Sequence, residues 1–261
     1  MRPRMLLALV SVLGLASAAP AHFNMLLPQS ASAKKGAPVT LTYQWGHPFE
    51  HQLFDAPAPE EVTVRTPDGK RIDLTKSLEK VAVASGDKKV TAYRLKFTPE
   101  ERGDYVFVLR TPPIWMEEDG EYLQDTVKVV LHVQVQKGWD RRDRFDFEFA
   151  PLTRPYGLQP GMVFLAQIMQ TEKAEPRPLA DQLVEVERYN AGAPKELPPD
   201  EQITRTAKTD PNGVVTATLT DAGWWCLTAA RPGGVRERDG KKVPVRQRST
   251  LWVYVDEKPG K

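Results

Sequence analysis

Alternation with a period of two is the feature of this chain that most restricts its fold. In PVTLTYQW, Val39, Leu41, Tyr43 and Trp45 share one side, and Thr40, Thr42 and Gln44 share the other. A half-buried strand satisfies that pattern and a helix does not. The pattern recurs in VTAYRLKFTP, GDYVFVLRTPP and DTVKVVLHVQVQ, and EEVTVRTPDGKRIDL reads as two strands joined by a Pro-Asp-Gly turn. A second set follows in GMVFLAQIMQ, QLVEVERYN, VVTATLTDAGWWCLTAARP and STLWVYVDE. Long helical periodicity is absent, and SLEKVAVA (77–84) is the best short helix candidate. The expected class is all-β, with two β-sandwich domains in tandem, Ig-like or prealbumin-like. The stretch 137–161, KGWDRRDRFDFEFAPLTRPYGLQPG, clusters charges and then Pro and Gly, and marks the connection. The expected limits are 22–138 and 139–261, with RFDFEFAPL already the first strand of the second domain.

Ahead of these strands, MRPRMLLALVSVLGLASAAPA has the three parts of a cleaved signal peptide: Arg2 and Arg4, an apolar run Met5–Ala16, and small residues. Cleavage after Ala18 or after Ala21 fits the small-x-small rule. The second, which the reading adopts, makes 1–21 the signal peptide and His22 the first mature residue. No later apolar run is long enough to span a bilayer. The expectation is therefore a periplasmic or secreted protein that is not membrane-spanning after cleavage. The segment contains two of the 36 basic residues and none of the 34 acids. The formal charge of the mature chain is therefore zero, which gives no reason to expect a nucleic-acid partner. Cys226 is the only cysteine, so an intramolecular disulfide is excluded, and its setting in GWWCLTAA reads as buried packing.

Histidine carries the functional signal. Of the four, His22, His47 and His51 fall within the first thirty residues after Ala21. His47 and His51 sit in WGHPFEH, a loop just past a strand, where Pro48 biases His47 away from helical geometry. An N-terminal His22 would add an α-amine with a pKa near ~8 to its own imidazole near ~6.5. Such nitrogen donors suit Ni(II) and Cu(II), and Co(II) or Zn(II) also take imidazole. His132 falls on the polar face of its strand with Lys128, Gln134 and Gln136, and reads as solvated. The acid-rich WMEEDGEYLQD (115–125) reads as a turn followed by a strand, and the segment 110–122 as a candidate docking loop. Met25 and Met116 read as packing.

The segments AHFNMLLP, GHPFEH, PLTRPYGLQPG, KTDPNGVVTATLTDAGWW and LWVYV occur in this order. They resemble a bacterial family of exported proteins, many known as a domain of unknown function and described as the periplasmic component of nickel/cobalt uptake systems. The resemblance runs from His22 to about Val255. It implies capture of Ni(II) or Co(II), delivery to a membrane metal transporter, and a metal-binding role for His22, His47 and His51. One departure stands out: where the family pattern often carries a His before the strand leading to the junction, this chain has Asp125, a harder candidate ligand. The reading is of a binding protein and not an enzyme. Its alternatives are a copper-binding protein or copper-dependent redox enzyme using the N-terminal His, and a metal-free structural β-sandwich. Hydrolase chemistry lacks support, since no G-x-S-x-G nucleophile motif and no evident carboxylate pair is present.

Overall fold

A computed structural model describes residues 22–172 and 174–258. Residues 1–21, expected to be a signal peptide, lie outside the described residues. The fold is all-β and of β-sandwich type, built from three sheets. The first has the order Phe23–Pro28, Val39–His47, Lys88–Phe97, Glu79–Ser85, with Gln52–Phe54 also pairing Val39–His47. The second has ten strands and runs through both halves of the chain. At its centre Gly223–Arg238, Lys241–Val255, Glu121–Val133 and Gly103–Arg110 lie side by side. The third joins Phe147–Pro151, Met162–Glu172 and Glu175–Pro178, with Val214–Leu219 on the other side of Met162–Glu172. No helix among the described residues is long and apolar enough to cross a membrane.

The large sheet holds the molecule together through one parallel ladder, Tyr122 opposite Val245 through to Val129 opposite Trp252. The C-terminal strands have apolar side chains on both faces, and successive residues feed different cores. Trp224, Cys226 and Trp252 pack with Phe23, Leu41 and Phe107. Trp225, Leu227, Leu251 and Val253 pack with Phe149, Phe164 and Ile168. The continuous apolar runs GWWCL and LWVYV are therefore strands walled on both sides. The Pro-Asp-Gly hairpin forms as expected between Glu61–Arg65 and Arg71–Asp73, and RFDFEFAPL yields the strand Phe147–Pro151.

SLEKVAVA does not form an α-helix. A single 3-10 turn, Thr75–Ser77, leads into the strand Glu79–Ser85, which pairs Lys88–Phe97 as a hairpin. Alternation of Val81 and Val83 with exposed neighbours outweighs local helix propensity, because the β-branched side chains gain a partner strand. The docking-loop segment is also ordered by pairing: Ile114–Met116 folds back on Glu121–Leu123, and the Arg238 guanidinium covers Trp115 at 4.2 Å. Met25 and Met116 are both buried.

The charge-rich junction is an internal ion cluster. Lys128 Nζ lies 3.0 Å from Asp143 Oδ2 and 3.0 Å from Glu148 Oε2. Arg65 Nε reaches Asp143 at 2.7 Å, and Arg142 Nε reaches Glu148 at 3.0 Å. Both carboxylate side chains have no exposed surface. Removing one partner of a buried pair strands the other charge, at a cost of roughly 3–5 kcal/mol. Lys128→Ala is expected to lower unfolding stability by an amount in that range in urea titrations. Arg142→Ala, at the solvent edge of the cluster, is expected to cost less.

Candidate metal centre

His22 precedes Phe23–Pro28, which pairs antiparallel with Val39–His47 so that Phe23 faces Gly46. Continuing that register by one residue sets His22 opposite His47. The two ring centroids are 4.7 Å apart, a cross-strand pair of imidazoles. Gly46 makes the turn beyond them feasible: its φ is 152°, and a Cβ there would lie 2.1 Å from the Gln52 carbonyl oxygen. The chain therefore folds back tightly, with Trp45 opposite Phe54 and His47 opposite Gln52. Phe54 packs against both imidazoles, at 5.1 Å from His22 and 5.5 Å from His47, and Trp45 lies 5.4 Å from His22.

This aromatic enclosure sets the protonation of the pair. Burial pushes the His22 imidazole down to about 4, with help from neighbouring His47 and Arg248 and against the pull of Asp119. Burial also lowers His47, opposed by Glu50 and by a hydrogen bond with Gln52. Both rings are neutral at pH 7, with lone pairs free to donate to a Lewis acid. His47 Nε2 is buried and has no hydrogen-bond partner, an arrangement that costs free energy unless something occupies it.

The other two expected ligands do not join this pair. His51 takes a left-handed backbone, φ 54°, and its Nδ1 donates to the Asn190 carbonyl oxygen at 2.9 Å. The Pro48–His51 turn is braced from the second half of the chain. Asn190 N–H donates to the Pro48 oxygen at 3.0 Å, and Phe49 N–H donates to Glu187 Oε1 at 3.1 Å. Burial pushes the Glu187 carboxyl up to about 7. Asp125 is buried with both oxygens engaged. Arg248 Nε donates to Oδ1 at 2.7 Å, Arg248 Nη2 donates to Oδ2 at 2.6 Å, and Asn24 donates to Oδ2 as well. Among the described residues, no three His, Cys, Asp or Glu side chains gather closely enough to hold a metal ion.

Asp125 instead shapes the site at one remove. The Arg248 guanidinium that it holds also donates to the His22 carbonyl oxygen. Asn24, two residues along the chain from His22, is fixed by Asp125 and by the Tyr43 hydroxyl at 2.6 Å. Sequence reasoning missed Arg248 and Asn24. They lie 123 and 101 residues from Asp125, and only strand pairing brings them together. His132 is less solvated than its strand pattern implies. Its Nδ1 lies 2.9 Å from Asp104 Oδ1, and its ring stacks on Tyr156 at 4.3 Å. Cys226 is fully buried, and burial raises its thiol pKa, which fits a packing role.

Over residues 19–232 the chain matches the family described as a domain of unknown function (DUF4198), and it belongs to that family. A comparison with curated proteins returns no match. Among solved structures, a DUF4785 family protein from Legionella pneumophila is 10% identical, with 80% of this chain and 52% of that one covered and a TM-score of 0.29. Trypsin-activated alpha-2-macroglobulin from Escherichia coli is 12% identical, with 89% and 16% covered and a TM-score of 0.25. A titin fragment is 12% identical, with 88% and 98% covered and a TM-score of 0.23. The chain thus spans about half the length of the Legionella protein and under a fifth of the macroglobulin.

The burial of the two imidazoles has a measurable consequence. A histidine whose folded pKa is depressed contributes its full stability above the unfolded value of 6.5, and that contribution is lost as pH falls toward the folded value. Ring-proton NMR titration is expected to show His22 neutral at pH 6 and titrating near pH 4, with His47 also below 6.5. Asp125→Ala, which strips a buried guanidinium of its partner, is expected to destabilise the fold by about 3–5 kcal/mol in denaturant titrations.

Proposed function

We propose that this protein is an exported carrier of a divalent transition-metal ion, nickel or cobalt foremost, which it captures at His22 and His47 and passes to a membrane uptake transporter. The observation that carries this reading is the buried, unpartnered Nε2 of His47 beside a second neutral imidazole. Cleavage after Ala21 would free the His22 amine and add a third nitrogen on the residue that Arg248 already holds by its carbonyl. Three nitrogen donors suit Ni(II), Co(II) and Cu(II), with Zn(II) also accommodated, and copper leads in intrinsic affinity. The export signal and the family resemblance support nickel or cobalt as the cargo. Asp125 enters as the residue that positions His22 through Arg248, and His51 as an anchor of the turn.

A second reading has one observation in its favour. With His51 turned to Asn190, an ion on His22 and His47 keeps open coordination positions, as copper redox chemistry requires. Copper-dependent turnover of ascorbate or peroxide above that of free copper would favour it.

Protein beginning at His22 is expected to bind one Ni(II) or Co(II) per chain in calorimetric titration. His47→Ala is expected to weaken binding by at least ~100-fold, about 2.7 kcal/mol, and one extra residue ahead of His22 to weaken it as well. His51→Ala is expected to change binding little. Wild-type affinity in His47→Ala would overturn the assignment.

A further inference from the structure

We propose a second ligand site on the opposite face of the large sheet, a donor-rich pocket that takes a small di- or tricarboxylate. Gln124 and Thr126 flank Asp125 in the strand, so their side chains leave the sheet on the side away from the Asp125 carboxylate. They line a compact, solvent-open cavity of about 190 Å³ with Gln247, Arg110 and Arg144, smaller than the pockets that take drug-sized ligands and suited to a small anion. Gln124 and Gln247 are direct partners in the parallel ladder, which sets two amides side by side. Arg231 Nε and Nη2 both donate to Gln247 Oε1, each at 3.2 Å. That amide is therefore held by its oxygen, and its NH₂ remains to donate.

The two guanidiniums are available to a ligand. Arg144 forms no ion pair among the described residues, and Arg110 has only a long, half-exposed contact with Glu61 at 3.6 Å. Arg144 sits at φ 63°, a strained backbone for an arginine, and its N–H is pinned at 3.0 Å by the buried Glu148 carboxylate. Asp146 is the one acid in the lining, and the Asp125 carboxylate neutralises Arg248 behind it. The pocket thus offers two planar guanidiniums, which match carboxylates bidentately, together with amide and hydroxyl groups for a ligand hydroxyl. Phe145 and Phe147 add an apolar wall for a short carbon skeleton. Inorganic phosphate would engage the cations but leave that wall unused.

Calorimetric titration of the full mature chain with citrate, in metal-free buffer, tests this. Wild type is expected to bind one citrate, more tightly than inorganic phosphate and more weakly as salt rises. Arg144→Gly, in which glycine adopts φ 63° without strain, is expected to keep the melting temperature and lose at least ~10-fold in citrate affinity. Arg110→Gln is expected to lose affinity too, while Arg141→Gln, outside the lining, and His47→Ala bind as wild type. Absence of citrate binding, wild-type affinity in both Arg144→Gly and Arg110→Gln, or phosphate binding tighter than citrate would overturn the proposal. Loss of citrate binding in His47→Ala would place the anion at the histidines and overturn it equally. The metal reading stands or falls separately, on the His47 titration.

Discussion

One parallel ladder, between Glu121–Val133 and Lys241–Val255, is the constraint on which the rest of the structure depends. A parallel pair cannot close through a tight turn, so everything between these strands becomes a crossover. Lys241–Val255 then has sheet neighbours on both edges and apolar cores on both faces. Trp252 turns toward one core, Leu251 and Val253 toward the other, and the Trp252 indole N–H donates to the Asn24 carbonyl at 3.1 Å. The strand that walls the second core therefore also buries the root of the segment that carries His22.

Polar groups are buried where strands from distant parts of the chain meet. Asp125 and Arg248 are direct partners in the ladder, and their ion pair lies almost wholly out of water. Replacing such a pair with apolar residues is often neutral or stabilising, so its presence argues for geometric specification more than for strength. Here the geometry specified is the placement of His22. Lys128, three residues along the same strand, does the comparable service for the junction, where Asp143 and Glu148 tie an irregular segment to the sheet.

The strands and turns were largely legible, because a period of two and the Pro-Asp-Gly turn are local signals. The histidine pair was half legible. The WGHPFEH loop announced His47, and the register that sets it beside His22 follows from two strands close in sequence. The orientation of His51 was not legible, because it depends on Asn190, 139 residues away. Asp125 was singled out as a candidate ligand, but its partner was not legible: a carboxylate looks the same in sequence whether it faces a cation in solution or a guanidinium 123 residues later. SLEKVAVA misled for the opposite reason, since its local helix propensity yields to a neighbouring strand.

The distance along the chain between the two ladder strands has a consequence for biogenesis. Contacts between residues far apart in sequence form late, because the loop between them must be closed first. A chain synthesised or threaded from its N-terminus supplies His22 early and Arg248 near the end. Until the last strand docks, the core around Phe23 and Leu41 lacks Trp252, and the His22 carbonyl lacks its guanidinium donor. The bracing of the histidine pair is thus completed late in folding, and a chain stalled before that strand would carry the pair without its Arg248 and Trp252 support.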